Sequence, residues 1–307
     1  MSVVAGCSLL DGILLGADCR ITFKEGARET HRDTVQKLII LNSQSAIGFV
    51  GDLNVARNLL VKMVQQGERR TRVDPVSLGG WLPRLFRRLY ANLHTTRRVS
   101  FVVGSVIPGR PNFVERESVL NILRRNAFGN PRARRSTMPA IFYGALQTQA
   151  KYVAIEGSPT GLLYVMDSPH FLPRFYKPLE YAAVGSGEGV IVNIARAHDM
   201  IIAGPALEHG EAMWLTMAMQ DFMTEKNLST VGGMFTLIKL TSQGLIPLEW
   251  RTGQVPDGTL YELAFDDGRW IQRNITTGKE IKLSLPWEVD LNDREEHTFD
   301  ELRYRTF

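Results

Sequence analysis

The sequence predicts an α+β fold in which two antiparallel sheets stack and helices cover both outer faces, a four-layer αββα sandwich with a C-terminal β-rich extension. Strand-like runs occur in groups, and each of the first two groups is followed by two amphipathic helical segments. This order favours helices packed on stacked sheets over a doubly wound parallel sheet, in which single strands and helices alternate. The predicted units are a domain over residues 2–244 and an extension over residues 245–307.

The first group of strands occupies residues 2–52. Turn residues, among them Leu10-Asp11-Gly12, separate the apolar runs SVVAGC, GILLGADCR, QKLIILN and SAIGFVG. Short apolar runs between such turns are typical of strands joined by hairpins. We therefore expect four strands here.

Two helices are expected next. Apolar residues recur at helical spacing from Leu53 to Val64, and Gly67 is a natural stop. The following run, PVSLGGWLPRLFRRLYANLHTT, has the same period, with Leu82, Leu85 and Leu89 on one side.

The second half repeats this order. The strand-like runs are VSFVVGSVI, AIFYGAL, KYVAIE, GLLYVMD and YAAVGSG, and a basic insertion at about residues 108–138 separates the first two. Helical segments GVIVNIARAHDM and EHGEAMWLTMAMQDFMTEKN follow, and then a strand, GGMFTLIKL. Short strands with turns at Gly268 and Gly278 are expected in the extension.

The composition is that of a globular protein, with 44% hydrophobic and 22% charged residues. No apolar run is long enough for a spanning helix, and the first residues lack the basic segment of a secretory signal, so we expect a cytoplasmic protein. The two cysteines, Cys7 and Cys19, have no metal-binding spacing and are expected in the core. No cofactor motif is present, so we expect no cofactor and no metal.

The net charge of +4 is unevenly distributed along the chain. Seven arginines lie between Arg110 and Arg135, against only two acidic residues, Glu115 and Glu117. Such a stretch can bind nucleic acid, but no nucleic-acid module accompanies it. A solvated insertion or an interface to an acidic partner is the favoured interpretation.

Four segments, in this order, resemble the proteasome β-subunit and its bacterial relatives among the N-terminal nucleophile hydrolases. They are SVVAGCSLLDGILLGADCR, QKLIIL, AIGFVGDLNVARNLL and AAVGSGEG, and the resemblance covers residues 2–240. It implies hydrolysis of peptide amide bonds by the first residue of the mature chain, whose α-amino group can serve as the base. It also implies assembly of identical subunits into a homo-oligomer.

The resemblance places Ser2 as the nucleophile, where the family usually has threonine, after removal of Met1. Asp18 lies sixteen positions later, as the family's aspartate does, and Lys37 matches the catalytic lysine with about three extra residues before it. Each has a simpler explanation. Serine is a common second residue, Asp18 could pair with Arg20, and Lys37 could be an exposed residue at the start of a strand.

Two further residues carry over from the resemblance. Gly48 matches the glycine whose backbone N–H stabilises the oxyanion, and Ser186 matches the serine that steadies the terminal amine. Their simpler explanations are a close-approach glycine and a turn serine, respectively.

The chain departs from the family before Gly232-Gly233. The family usually has an aspartate and a serine there, whereas this chain has Leu228 and Val231. Two functions therefore stay open. The first is an N-terminal serine hydrolase acting on peptides, and the alternative is a catalytically silent proteasome-like subunit that serves as a scaffold or ring component.

Overall fold

A computed structural model shows that the chain is mostly β, with sixteen strands and two helices among the described residues. The description covers residues 2–9, 12–25, 28–67, 75–115, 117, 152–177, 180–186, 235–248, 250–251 and 261–290.

The first sheet has five strands. They are β1 (Val3–Ser8), β2 (Gly12–Asp18), β10 (Tyr181–Gly185), β11 (Phe235–Thr241) and β12 (Gly244–Pro247). Their order is β10-β1-β2-β11-β12, and all neighbours are antiparallel. The predicted hairpin at the beginning of the chain is thus confirmed. Strands β1 and β2 are buried along their whole length, which explains their nearly continuous apolar sequence.

The second sheet also has five strands. They are β5 (Leu38–Asn42), β6 (Ser45–Gly51), β7 (Val99–Glu115), β8 (Tyr152–Asp167) and β9 (Arg174–Tyr176). They pair in chain order, and every pairing is antiparallel. The long strand β7 is the central strand of this sheet, and it pairs along its length with the long strand β8.

The two sheets stack face to face around one apolar core. Glycines allow the close approach: a Cβ atom at Gly48 would lie 2.5 Å from Val4 Cγ1, and one at Gly104 would lie 2.9 Å from Ile13 Cγ2. Both distances are too short for a side chain at the glycine, so side chains of the first sheet pack directly on the glycine backbone of the second sheet. The core residues between the sheets include Val4, Ile13, Leu15, Leu38, Val50, Val102, Leu163 and Ile238.

The predicted helices in the first half are confirmed as α1 (Leu53–Gly67) and α2 (Pro75–Asn92). Asp52 precedes α1, and its carboxylate accepts a hydrogen bond from the Val55 N–H over 3.0 Å, a typical N-cap. Both helices pack against the second sheet on the face opposite the first sheet. This second core includes Ile47, Phe49, Leu59, Leu82, Phe86, Phe101 and Phe171.

Alternation along β6 explains how one strand serves both cores. Ala46 and Val50 face the first sheet, whereas Ile47 and Phe49 face the helices. Successive side chains of a strand point to opposite faces, and a strand that is buried on both faces is apolar at nearly every position.

Two smaller sheets complete the described structure. Strands β3 (Ile21–Glu25) and β4 (Arg28–Arg32) form a hairpin between β2 and β5. Strands β13 (Trp250–Arg251), β14 (Tyr261–Asp266), β15 (Arg269–Asn274) and β16 (Glu280–Lys282) form a four-stranded sheet, called here the C-terminal sheet. The predicted turns at Gly268 and Gly278 are confirmed, with φ of 76° and 70°.

The prediction of a helix-flanked αββα sandwich is wrong, and the described residues indicate a mostly-β fold. Their two helices both pack on one sheet. Strand pairing also extends further than the sequence suggested, because β7 continues through Glu115 and pairs with a 16-residue β8. The β3–β4 hairpin was not expected either. The strand AIFYGAL and the two later helices predicted from the sequence lie outside the described residues.

Candidate active site

Ser2 lies directly before β1 and is buried, with 6% of its surface exposed. Its hydroxyl donates to the Arg20 carbonyl oxygen over 3.3 Å and accepts a hydrogen bond from Lys37 Nζ over 2.6 Å. The hydroxyl is therefore held on two sides by residues that lie 18 and 35 positions away in sequence.

Asp18, the last residue of β2, is the anion of this cluster and is fully buried. Its Oδ1 accepts hydrogen bonds from the Val3 N–H over 2.9 Å and from Lys37 Nζ over 2.8 Å. Its Oδ2 accepts one from the Arg20 N–H over 3.3 Å. Bonds from donors on three segments fix this carboxylate and compensate for its burial.

Lys37 Nζ joins the serine to the aspartate. The side chain is 1% exposed and donates to Ser2 Oγ, Asp18 Oδ1 and the Arg20 carbonyl oxygen. Burial lowers the pKa of Lys37, because it disfavours the charged form, and the adjacent Asp18 carboxylate opposes that effect. An ammonium in this position lowers the cost of forming an alkoxide at Ser2.

The turn after β10 holds the backbone of Ser2. The Ser186 N–H donates to the Ser2 carbonyl oxygen over 3.0 Å, and Gly185 pairs with Val3. Gly185 has a φ of 101°, and a Cβ there would lie 1.8 Å from the Ser2 carbonyl oxygen. Only glycine fits this position. The buried Ser186 hydroxyl has no hydrogen-bond partner in the described structure.

Gly48 lies in β6, between β5 and β7, and faces β1. A side chain there would collide with Val4 and would touch Leu38, so the close-approach explanation of this glycine holds. Gly48 lies across from Val4, and Val4 is two residues after Ser2 in the chain. The structure therefore places all five predicted site residues around the start of β1, and it brings Ser2, Asp18 and Lys37 into direct hydrogen-bond contact.

Arg20 and Asp33 also belong to this region, although the sequence did not identify their roles. The Arg20 guanidinium binds the Asp33 carboxylate through two hydrogen bonds of 2.6 and 2.7 Å. The Arg20 carbonyl oxygen accepts from both Ser2 and Lys37. In the sequence Asp33 is one of two carboxylates, with Glu29, in the polar run RETHRDTVQ before Lys37, and this run by itself defines no partner for it.

The cluster provides a hydroxyl, an ammonium with a lowered pKa and a carboxylate in one buried network. Such a set can activate a serine for nucleophilic attack. Among the described residues, no group of three or more His, Cys, Asp or Glu side chains could hold a metal ion. Leu228, Val231 and the Gly232-Gly233 pair lie outside the described residues.

No family model matches this chain, and no curated protein matches it significantly. Within the described part of the chain, neither helix has the length and apolar character needed to cross a bilayer.

Proposed function

We propose that this protein is an N-terminal nucleophile hydrolase, similar to proteasome β-subunits, that cleaves peptide amide bonds with Ser2. The contact of Lys37 Nζ with both Ser2 Oγ and Asp18 Oδ1 carries the proposal. A buried lysine between a serine hydroxyl and a carboxylate is costly to desolvate, so a purely structural role explains it poorly.

The proposed reaction begins once Met1 is removed and the α-amine of Ser2 is free. This amine, acting through a water molecule, takes the hydroxyl proton while Ser2 Oγ attacks the substrate carbonyl carbon. The Lys37 ammonium stabilises the alkoxide, and the resemblance alone assigns stabilisation of the oxyanion of the tetrahedral intermediate to the Gly48 N–H. Protonation of the leaving amine breaks the amide bond, and water then hydrolyses the acyl-enzyme. Ser186 steadies the α-amine.

A silent subunit is the second candidate function. Leu228 and Val231 replace the carboxylate and hydroxyl that the resemblance leads one to expect. Without these groups the terminal amine loses partners that orient it, which would impair catalysis. A subunit that serves only as a scaffold or ring component does not require catalytic activity. In either case we propose that the protein is cytoplasmic and forms a homo-oligomer. Light scattering at micromolar concentrations would test the oligomeric state.

The experiment that separates the two functions is mass spectrometry of the intact chain with and without a serine-reactive sulfonyl fluoride probe. The hydrolase is expected to lack Met1 and to gain one probe, which peptide mapping locates at Ser2. Ser2→Ala should abolish labelling and the turnover of fluorogenic peptides. Ser8→Ala is the matched control, because Ser8 is a buried serine at the far end of β1 whose hydroxyl has no partner in the described structure.

Labelling that survives Ser2→Ala would place the reactive serine elsewhere and overturn the hydrolase proposal. A chain that loses Met1 but neither reacts at Ser2 nor turns over peptides would favour the silent subunit.

A further inference from the structure

The segment Thr34–Lys37, called here the lysine segment, is held between the residue that follows β2 and the segment that follows β16 of the C-terminal sheet. On one side the Val35 N–H donates to the Cys19 carbonyl oxygen over 3.2 Å. On the other side the Ser284 N–H donates to the Thr34 carbonyl oxygen over 2.8 Å, and the Gln36 N–H donates to the Ser284 carbonyl oxygen over 2.9 Å. Val35 and Ser284 form a parallel bridge. Residues far apart in the chain therefore fix the backbone that carries Lys37.

The Gln36 side chain makes the deepest of these connections. It is fully buried, and its Nε2 donates to the Leu38 carbonyl oxygen over 2.9 Å and to the Gly268 carbonyl oxygen over 3.0 Å. Its Oε1 accepts from the Trp270 N–H over 3.1 Å. Both N–H donors and the oxygen acceptor of the Gln36 amide are thus used. Two of the three partners belong to the C-terminal sheet: Gly268 lies in the β14–β15 turn and Trp270 in β15.

Gln36 and Lys37 are adjacent in the chain, but their side chains point to opposite sides of the lysine segment. Gln36 contacts Gly268 and Trp270 of the C-terminal sheet, whereas Lys37 contacts Ser2 and Asp18. A shift of the Gln36 backbone consequently moves Lys37 relative to Ser2 Oγ. Trp270 is fully buried among the core residues between the sheets, so the anchor of Gln36 is itself fixed by packing.

We propose that Gln36 is a positioning residue through which the C-terminal sheet holds Lys37 against Ser2, so that this sheet forms part of the active-site scaffold. The inference rests on the proposed function of Ser2 as the nucleophile. Gln36 does not touch the reacting atoms and acts only through Lys37. A displacement of about 1 Å in such a group is enough to lower a reaction rate by about 10²-fold.

The experiment compares two Gln36 variants with one control in the full chain. Gln36→Met keeps the length of the side chain and removes its three hydrogen bonds. Gln36→Glu keeps the acceptor for the Trp270 N–H but turns a carboxylate oxygen toward two carbonyl oxygens. The control is Arg269→Met, which breaks the ion pair with Glu288 on the surface of the same sheet and leaves Gln36 untouched.

Two readouts are needed, and only one depends on the proposed function. The first is the second-order rate of Ser2 acylation by a sulfonyl fluoride, followed from pH 6 to pH 10. The second is the ¹⁵N signal of Lys37 Nζ in protein with labelled lysine, assigned by its disappearance in Lys37→Met. A held, hydrogen-bonded ammonium gives a signal distinct from those of exposed lysines.

We expect both Gln36 variants to lower the acylation rate by about 10²-fold, to change its pH profile and to shift or broaden the Lys37 signal. Arg269→Met should leave all three unchanged. An unmoved Lys37 signal in folded Gln36 variants would overturn the proposal, as would a moved signal with an unchanged acylation rate. Loss of folding in both variants, judged by circular dichroism, would show a role in stability and also overturn it.

Absence of Ser2 acylation in the wild type would instead contradict the proposed function. The Lys37 signal then decides alone whether Gln36 positions Lys37.

Discussion

Lys37 Nζ lies 2.6 Å from Ser2 Oγ, although 35 positions separate the two residues in sequence. The antiparallel hairpin of β1 and β2 brings Ser2 beside Asp18, and Asp18 in turn lies 2.8 Å from the same ammonium. Three buried polar side chains therefore meet at the start of the first strand.

Loss of the ammonium or of its carboxylate partner should suppress the reaction of Ser2. We expect Lys37→Met to lower the rate of acylation by a sulfonyl fluoride by several orders of magnitude, because the alkoxide loses its stabilising charge. Asp18→Asn should have a smaller effect, since the amide oxygen can still accept from the Val3 N–H. Acylation in Lys37→Met at the wild-type rate would show that Lys37 has no part in the reaction.

The stability of the protein should depend on pH through Lys37. Burial makes the pKa of Lys37 lower in the folded protein than in the unfolded chain, where it is about 10.4. Between these two values the unfolded chain binds more protons, so the free energy of unfolding rises with pH in that window. The cost of burying the charge is present in full below the folded pKa and disappears above the unfolded one.

Urea unfolding of wild type and Lys37→Met at intervals from pH 7 to pH 10.5 measures this effect. We expect the free energy of unfolding of the wild type to increase relative to that of Lys37→Met as the pH rises. A difference that is independent of pH would show that the pKa of Lys37 is the same in both states.

Gly185→Ala should destabilise the protein more than the same change at an open left-handed glycine. At Gly278, with a φ of 70° and nothing within 4 Å of an added Cβ, alanine costs about 1 kcal/mol of backbone strain. At Gly185 the strain is joined by a collision with the Ser2 carbonyl oxygen. We expect the loss in free energy of unfolding to exceed that of Gly278→Ala by about 2 kcal/mol or more. Equal losses in denaturant unfolding would contradict the contact between Gly185 and Ser2.

The thiols of Cys7 and Cys19 should be unreactive in the folded protein. Burial, followed by the Asp18 carboxylate, raises the pKa of Cys19 well above its ordinary value, so the reactive thiolate is scarce. Labelling by an aromatic disulfide at pH 8 should therefore proceed only as fast as the protein unfolds. Thr96→Cys, at an exposed position after α2, is the control that should react at once. Rapid labelling of Cys19 without unfolding would show that solvent reaches the site.

The sequence by itself determined the elements whose patterns are local. The first hairpin, α1 and α2 followed from apolar periodicity, and the turns at Gly268 and Gly278 followed from the turn sequences DDG and TTGK. Both glycines have a positive φ in the structure. These signals are local because a strand or helix shows its own period, and because only glycine readily adopts the left-handed turn conformation.

Only the tertiary structure decided the architecture and the contacts of the site. The helix-flanked sandwich was wrong because the described residues form four sheets and two helices, and both helices pack on one sheet. How many sheets form, and which sheet face a helix covers, depends on contacts between distant segments and not on a local pattern. The resemblance named Ser2, Asp18 and Lys37, but the sequence did not show that Arg20 pairs with Asp33 or that Gln36 reaches residues 232 and 234 positions away. A side chain's hydrogen-bond partners depend on which strands are brought together, and the spacing of residues along the chain does not contain that information.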